Sequence, residues 1–355
     1  MHQRVESIDN IKGLLIILVV FGHLLEPIAG HGIYHKIYNF IYVFHMPAFI
    51  LIAGMFSTLE YDKSAQFKII KNILIPFIFF SIVYELVNYK LYGTLSSYIK
   101  MGKPYWILWF LLSLFYWRIL SPILFRFRYP IVLTIILSLY FSTISYNGGF
   151  LSVSRTLVFF PFFLIGLIYN KKLIHLIVSD KNIFLYAASI IFFVLLSLYA
   201  HKFNKELLYA SSSFPSIGLS SEQGIQSRLI LYCLSFLSII FLFILASRIK
   251  GLSNIGKNSL MIYLWHGVIL KLFLWKFFTE HLSSNYSIYT ITSALVVSMG
   301  VAFFLANPII TSGTNYLLNL FSQLILKRRP GPVDTGQEDY VSKQKFLEIV
   351  NGPIL

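Results

Sequence analysis

Nothing constrains this chain more than the recurrence, from one end to the other, of apolar, sparsely charged runs as long as a bilayer is thick. A helix rises about 1.5 Å per residue, so about 20 apolar residues cross a hydrocarbon core of about 30 Å. Ten such runs fall at residues 11–29, 37–56, 69–90, 105–125, 130–145, 156–169, 183–200, 229–246, 259–278 and 288–306, the fifth and sixth of them short. Charged residues make up only 12% of the chain, against about a quarter in soluble domains. The expected fold is all-α, a polytopic bundle of about ten transmembrane helices over residues 1–307. After Asn307-Pro308 the apolar residues are interrupted by Thr311, Ser312, Thr314, Asn315 and Asn319, so 308–330 reads as an amphipathic or interfacial extension and 331–355 as a polar cytoplasmic tail. No internal repeat is evident, which disfavours transporters built from duplicated halves.

The net charge of +15 does not point to nucleic acid, because the basic residues sit in the short breaks between apolar runs. There they set membrane orientation. With the N-terminus inside, the inner segments hold 16 cations: Arg4, Lys12, Lys63, Lys68, Lys71, Arg126, Arg128, Lys171, Lys172, Lys181, Arg248, Lys250, Lys257, Lys327, Arg328 and Arg329. The outer loops hold 8: Lys36, Lys90, Lys100, Lys103, Arg155, Lys202, Lys205 and Arg228. Both termini are therefore expected on the cytoplasmic side of a plasma or inner membrane. The single cysteine, Cys233, excludes a disulfide framework and a thiolate metal site. The first apolar run reads as a retained span and not as a cleaved signal.

Ionisable side chains inside a bilayer are costly and usually functional. Lys12 and His23 are eleven steps apart on the first span, about 16 Å along the axis and within about 20° of three full turns. One helix face thus carries both. Glu26, three residues beyond His23, can hold its ring in one tautomer, and Asp9 can pair with Lys12 in the same way. The second span runs back and places His45 at a depth similar to that of His23. His266 lies in the ninth span, Arg155 opens the sixth, and Glu85 is a carboxylate candidate in the third. Each has a plainer structural alternative. A membrane histidine can simply bond a neighbouring helix, Lys12 can snorkel to the surface, and Arg155 can anchor at the interface.

No His-x-x-x-His pair on an expected helix, no Gly-x-Ser-x-Gly elbow and no phosphate-cradling glycine loop occurs, so no metal site, serine hydrolase or ATP-driven pump is expected. A histidine oriented by a carboxylate suits general-base chemistry on a hydroxyl, with Lys or Arg to meet phosphates or developing negative charge. Acyl transfer is one option this leaves open. A glycan exporter or flippase is the main alternative, and a structural subunit of a polysaccharide synthesis complex a third.

One set of motifs carries a family resemblance. Arg4-Val-Glu-Ser-Ile-Asp-Asn-Ile-Lys12-Gly leads to Val-Val-Phe-Gly-His23, and Phe44-His45-Met-Pro47 is followed by Ala53-Gly54. Leu108-Trp109-Phe-Leu, Arg155 before Phe160-Pro161-Phe-Phe-Leu-Ile-Gly166, and Ile255-Gly-Lys-Asn-Ser259 before Tyr263-Leu-Trp-His266 complete the series. In order and spacing the chain resembles the membrane acyltransferase-3 family, and within it the fucose 4-O-acetylase-like branch, over roughly residues 4–307. The resemblance implies transfer of an acyl group, usually acetyl from acetyl-CoA, to a hydroxyl of a cell-surface glycan or its lipid-linked precursor. The acyl-CoA is then a donor substrate and no tightly bound cofactor is implied; the polysaccharide synthesis machinery is a candidate partner. It assigns function to Lys12 and His23 directly and to His45, Arg155, Trp109 and His266 by motif. On this reading Glu26 orients His23, Arg126 or Arg128 meets donor phosphates beside Lys12, and direct transfer and an acyl-histidine intermediate both stay open.

Overall fold

The computed structural model describes residues 2–30, 32–60, 62–144, 149–179, 181–281 and 287–326. Among these the chain is all-helical, and nine helices are long and apolar enough to cross a membrane. They are α1 (Glu6–Ile28), α2 (Gly32–Met55), α3 (Lys63–Tyr92), α4 (Trp106–Leu124), α6 (Phe150–Ile168), α7 (Ile183–Lys202), α8 (Ser221–Leu245), α9 (Ser259–Glu280) and α10 (Ile288–Leu305). The shorter α5 (Pro130–Thr143) falls where the fifth run was expected, and α11 (Pro308–Ile325) follows the Asn307 cap. The polar tail 331–355 lies outside the described residues.

Five helices, α1, α2, α3, α6 and α8, begin five to eight residues earlier than their apolar runs. α3 starts at Lys63 because the Asp62 carboxylate accepts the Ala65 amide at 2.7 Å, a cap that compensates an otherwise unpaired donor. It then passes through a π-bulge at Ile70–Leu74 just before Pro76, which has no N–H to donate. α6 is not short: it begins at Phe150, and Ser152 and Thr156 at its polar start are bonded internally, with Ser113 Oγ 3.2 Å from Ser152 Oγ and 2.8 Å from Thr156 Oγ1. Polarity in the sequence hid this start.

Small residues set how closely the central helices approach. A Cβ on Gly54 of α2 would lie 2.1 Å from the Phe163 carbonyl oxygen, and one on Gly166 of α6 would lie 1.9 Å from that of Leu51. The two glycines face each other's backbone, the usual device for tight helix contact in lipid. Gly256, in the short helix Ser253–Lys257, plays the same part against the Asp9 carbonyl, where a Cβ would sit at 1.8 Å. The Leu252 amide beside it donates to Asn10 Oδ1 at 2.8 Å. α1 is thereby held in the middle of the bundle, its apolar residues Leu15, Ile16, Val20 and Leu24 almost wholly buried. Gly166→Leu should lower the thermal unfolding temperature of the detergent-solubilised protein, since overpacking costs about 1–3 kcal/mol. An unchanged melting curve would show that the α2–α6 contact can open.

Candidate functional site

α1 carries the two charged groups at different levels. Lys12 bonds Asp9 Oδ1 at 3.0 Å and lines an apolar cavity of about 240 Å³. His23, three turns on, lines a second cavity of about 260 Å³ together with Glu26, His45, Trp109 and Arg155. Among the described residues Val19, Met46 and Tyr263 line both cavities, so these three side chains form a layer shared between the Lys12 and His23 spaces.

Within the second cavity His23 Nδ1 lies 2.8 Å from Glu26 Oε2. A carboxylate only accepts, so Nδ1 carries the proton and the Nε2 lone pair is left for other work. Glu26 reaches back because α1 tightens there into a 3-10 turn, Glu26–Ile28, opened by Pro27. Pro27 also deprives the His23 carbonyl of its helical donor; Trp275 Nε1 of α9 donates to that oxygen at 2.9 Å instead. Trp106 Nε1 donates to Glu26 Oε2 at 3.3 Å, and its ring meets the His23 ring edge-on at 4.7 Å. Two indoles therefore clamp the pair.

His45 is buried, donates from Nδ1 to the Ile41 carbonyl at 2.8 Å and turns its ring to the Tyr42 ring at 4.5 Å. His266 stands behind His23, ring centroids 5.5 Å apart, and does not line the cavity. Its Nδ1 bonds the Tyr263 carbonyl at 2.8 Å, which leaves Nε2 buried without a partner. Arg155 lies over the Trp109 ring at 5.0 Å and donates from Nε to the Tyr209 carbonyl at 3.0 Å. That uses one of the guanidinium's five donors. Arg126 and Arg128 are exposed in the turn after α4, where Arg128 covers Tyr129, and neither lines a cavity described here. Glu85 is committed to Ser96, accepting from its amide at 3.0 Å and from its hydroxyl.

The cavity also draws on residues with no signature in the sequence. Tyr98 comes from the loop before α4, and Glu206, Leu208, Tyr209 and Ser211 from the segment between α7 and α8. Glu206 is exposed and Tyr98 and Tyr209 are half-buried, so this is the cavity's open mouth. Burial, and the Glu26 carboxylate after it, raise the Tyr98 and Tyr209 phenols above their ordinary range, so both remain neutral hydroxyl donors. Single aromatic residues in loops and at helix ends are common at membrane interfaces, and nothing in their spacing marks these as site residues.

A family model described as an acyltransferase domain matches residues 5–307. The chain belongs to the acyltransferase-3 family. As a member it is an acyltransferase by family and an integral, multi-pass membrane protein by its helices. Among curated proteins it is similar to the Nodulation protein NolL of Sinorhizobium fredii (strain NBRC 101917 / NGR234), at 30% identity over 134 residues. That match spans 32% of this chain and 36% of the relative, about a third of each. No solved structure matches. Neither the family nor the relative points to an exporter.

Proposed function

We propose that this protein is an O-acyltransferase of the fucose 4-O-acetylase-like kind, seated in the cytoplasmic membrane with both termini inside. It moves an acyl group, acetyl in the first instance, from acyl-CoA to a hydroxyl of a cell-surface polysaccharide or its lipid-linked precursor. The observation that carries this reading is the His23–Glu26 pair, 2.8 Å apart, in a cavity whose far wall abuts the Lys12 cavity. A donor arriving from the Lys12 end and an acceptor arriving past Tyr98 and Tyr209 would meet at His23.

His23 Nε2 takes the proton of the acceptor hydroxyl as its oxygen attacks the thioester carbonyl. A C–O bond forms, the C–S bond breaks, and the proton passes from Nε2 to the departing thiolate, giving an ester and free CoA thiol. The unused donors of Arg155 supply hydrogen bonds to the carbonyl oxygen as it gains charge, and Trp109 holds the guanidinium over its ring, 5.0 Å from the ring centre. His45 assists from the same cavity.

The donor's charged end has a polar hollow of about 380 Å³ at the Lys12 side, lined by Lys68, Asn72 and Arg118 and, at its rim, by the carboxylates Glu60 and Asp62. Arg118 Nε is buried there without a hydrogen-bond partner, one turn along α4 from Leu114 of the Lys12 cavity. Arg118 and Lys68 take the phosphate-binding part that the sequence suggested for Arg126 and Arg128. The test is direct: purified protein in nanodiscs with labelled acetyl-CoA and envelope glycan should move label onto the glycan and release CoA thiol. No transfer, with glycan moved across a vesicle membrane instead, would replace the reading with an exporter.

A further inference from the structure

The cavity that holds His23 shares a wall with a second hollow that opens sideways toward lipid. This groove measures about 460 Å³ and is lined mostly by apolar side chains of α3, α4 and the loop joining them, including Leu86 and Ile99. Both of these residues are more than half exposed. Neighbouring residues line the two spaces: Tyr98 and Trp106 the His23 cavity, Ile99 and Tyr105 the groove, with the Tyr98 and Tyr105 rings 4.8 Å apart between them.

That wall is firmly held. Glu85 accepts from the Ser96 amide and hydroxyl, Asn88 Nδ2 donates to the Thr94 carbonyl at 2.9 Å, and the Leu151 amide donates to the Gly102 carbonyl at 2.9 Å. Leu151 lines the groove from a left-handed backbone conformation, φ 46°. Strain of this kind is retained where the surroundings enforce it, often at ligand-binding positions.

The groove's one cation is Lys103. Its stem lies over Gly149, where a Cβ would stand 2.6 Å from Lys103 Cε, and it has no anionic partner among the described residues. The one carboxylate in the groove, Glu85, has both oxygens occupied by Ser96. A long apolar trough with a positioned ammonium group fits an amphiphile with a hydrocarbon chain and an anionic head.

We propose that the groove binds the hydrocarbon chain of a lipid-linked saccharide phosphate, with the phosphate at Lys103 and the sugar reaching over Tyr98 to His23. This rests on the acyl-transfer reading above and selects the lipid-linked precursor, not the finished polymer, as acceptor. A water-soluble polymer would need only the mouth formed by Tyr98, Tyr209 and Glu206. Bulk lipid would need no cation beside the reaction cavity.

The experiment compares two forms of one acceptor pool. Lipid-linked saccharides extracted from membranes of the producing cells are used intact, or after mild acid has released the sugars from their phosphate. Each is incubated with labelled acetyl-CoA and the protein in nanodiscs. The wild type should acylate the intact pool with a KM at least about tenfold lower than the released sugars. Ile99→Trp, which fills the groove, and Lys103→Gln, which removes the cation from a half-exposed site, should each erase most of that advantage and change turnover of released sugars by less than about twofold. Equal use of both pools by the wild type, or equal losses on both pools in the two variants, overturns the proposal and leaves the acyltransferase reading intact. Acylation of neither pool, with folded protein, removes that reading and the groove's role with it.

Discussion

His23→Ala is expected to reduce acyl transfer by about 10²–10⁴-fold, the range a positioned general base contributes, without loss of folded protein. Three imidazoles lie in this region, and their hydrogen bonds separate them. His23 alone lines the cavity with Nδ1 fixed on a carboxylate, whereas His45 and His266 give Nδ1 to backbone carbonyls of their own helices. A carboxylate stabilises the imidazolium that forms when Nε2 takes a proton; a carbonyl does so far less. Glu26→Gln should therefore come close to the histidine deletion, because the amide can donate to Nδ1 and drive the proton to Nε2, the tautomer that cannot accept. The stability of both variants should stay near wild type: His23 borders open space, and Glu26 is a quarter exposed. Label transfer from acetyl-CoA in nanodiscs, with a melting curve on the same samples, reads both quantities. Wild-type rates in His23→Ala would remove the histidine from the mechanism, and added imidazole restoring part of the rate would strengthen its place there.

The sequence made the spine of this site legible because its signals were local. Lys12, His23, Glu26 and Asp9 all lie on α1, where helical arithmetic fixes who faces whom, and the Lys12–Asp9 and His23–Glu26 pairs form as the three-residue spacing predicts. His45 followed from depth along an antiparallel neighbour and lines the same cavity as His23. Among the boundaries that moved, α3 starts at a surface cap and α6 at a polar turn bonded inside the protein, neither of which hydropathy registers. What stayed hidden depends on contacts across long stretches of chain. Trp106 meets Glu26 across 80 residues and Trp275 meets the His23 carbonyl across 252. In an apolar run an indole that clamps a carboxylate looks the same as one that faces lipid. Helix rotation also escaped the pattern: His266 matched a motif yet stands behind His23, outside the cavity.

Lys271 is the residue that turns this concealed layer into a second large effect, and Lys271→Met should lower turnover by up to about 100-fold while touching no reacting atom, as small misplacements of catalytic groups do. It sits in α9 on a π-bulge, Leu270–Leu274, a feature that often marks functional positions. Its ammonium group bonds the Tyr105 hydroxyl at 2.9 Å and lies 5.4 Å and 5.5 Å from the Trp106 and Trp275 ring centres. Those are the two indoles that hold Glu26 and the His23 carbonyl. Trp106 adopts φ 30°, a backbone state that costs about 1–3 kcal/mol and needs an external hold. Stacking on a desolvated cation is worth up to about 2 kcal/mol per ring, enough to keep Trp106 in place. Removing the charge should let the indole relax and free Glu26 to leave His23. Lys271→Arg keeps the cation over the rings and should recover most of the rate, which a merely space-filling role would not require. In a double-mutant cycle, Trp106→Phe should cost much less in the Lys271→Met background than alone, because the clamp is already open. Additive losses would mean that Lys271 and Trp106 act separately, and the dyad would then owe its geometry to α1 alone.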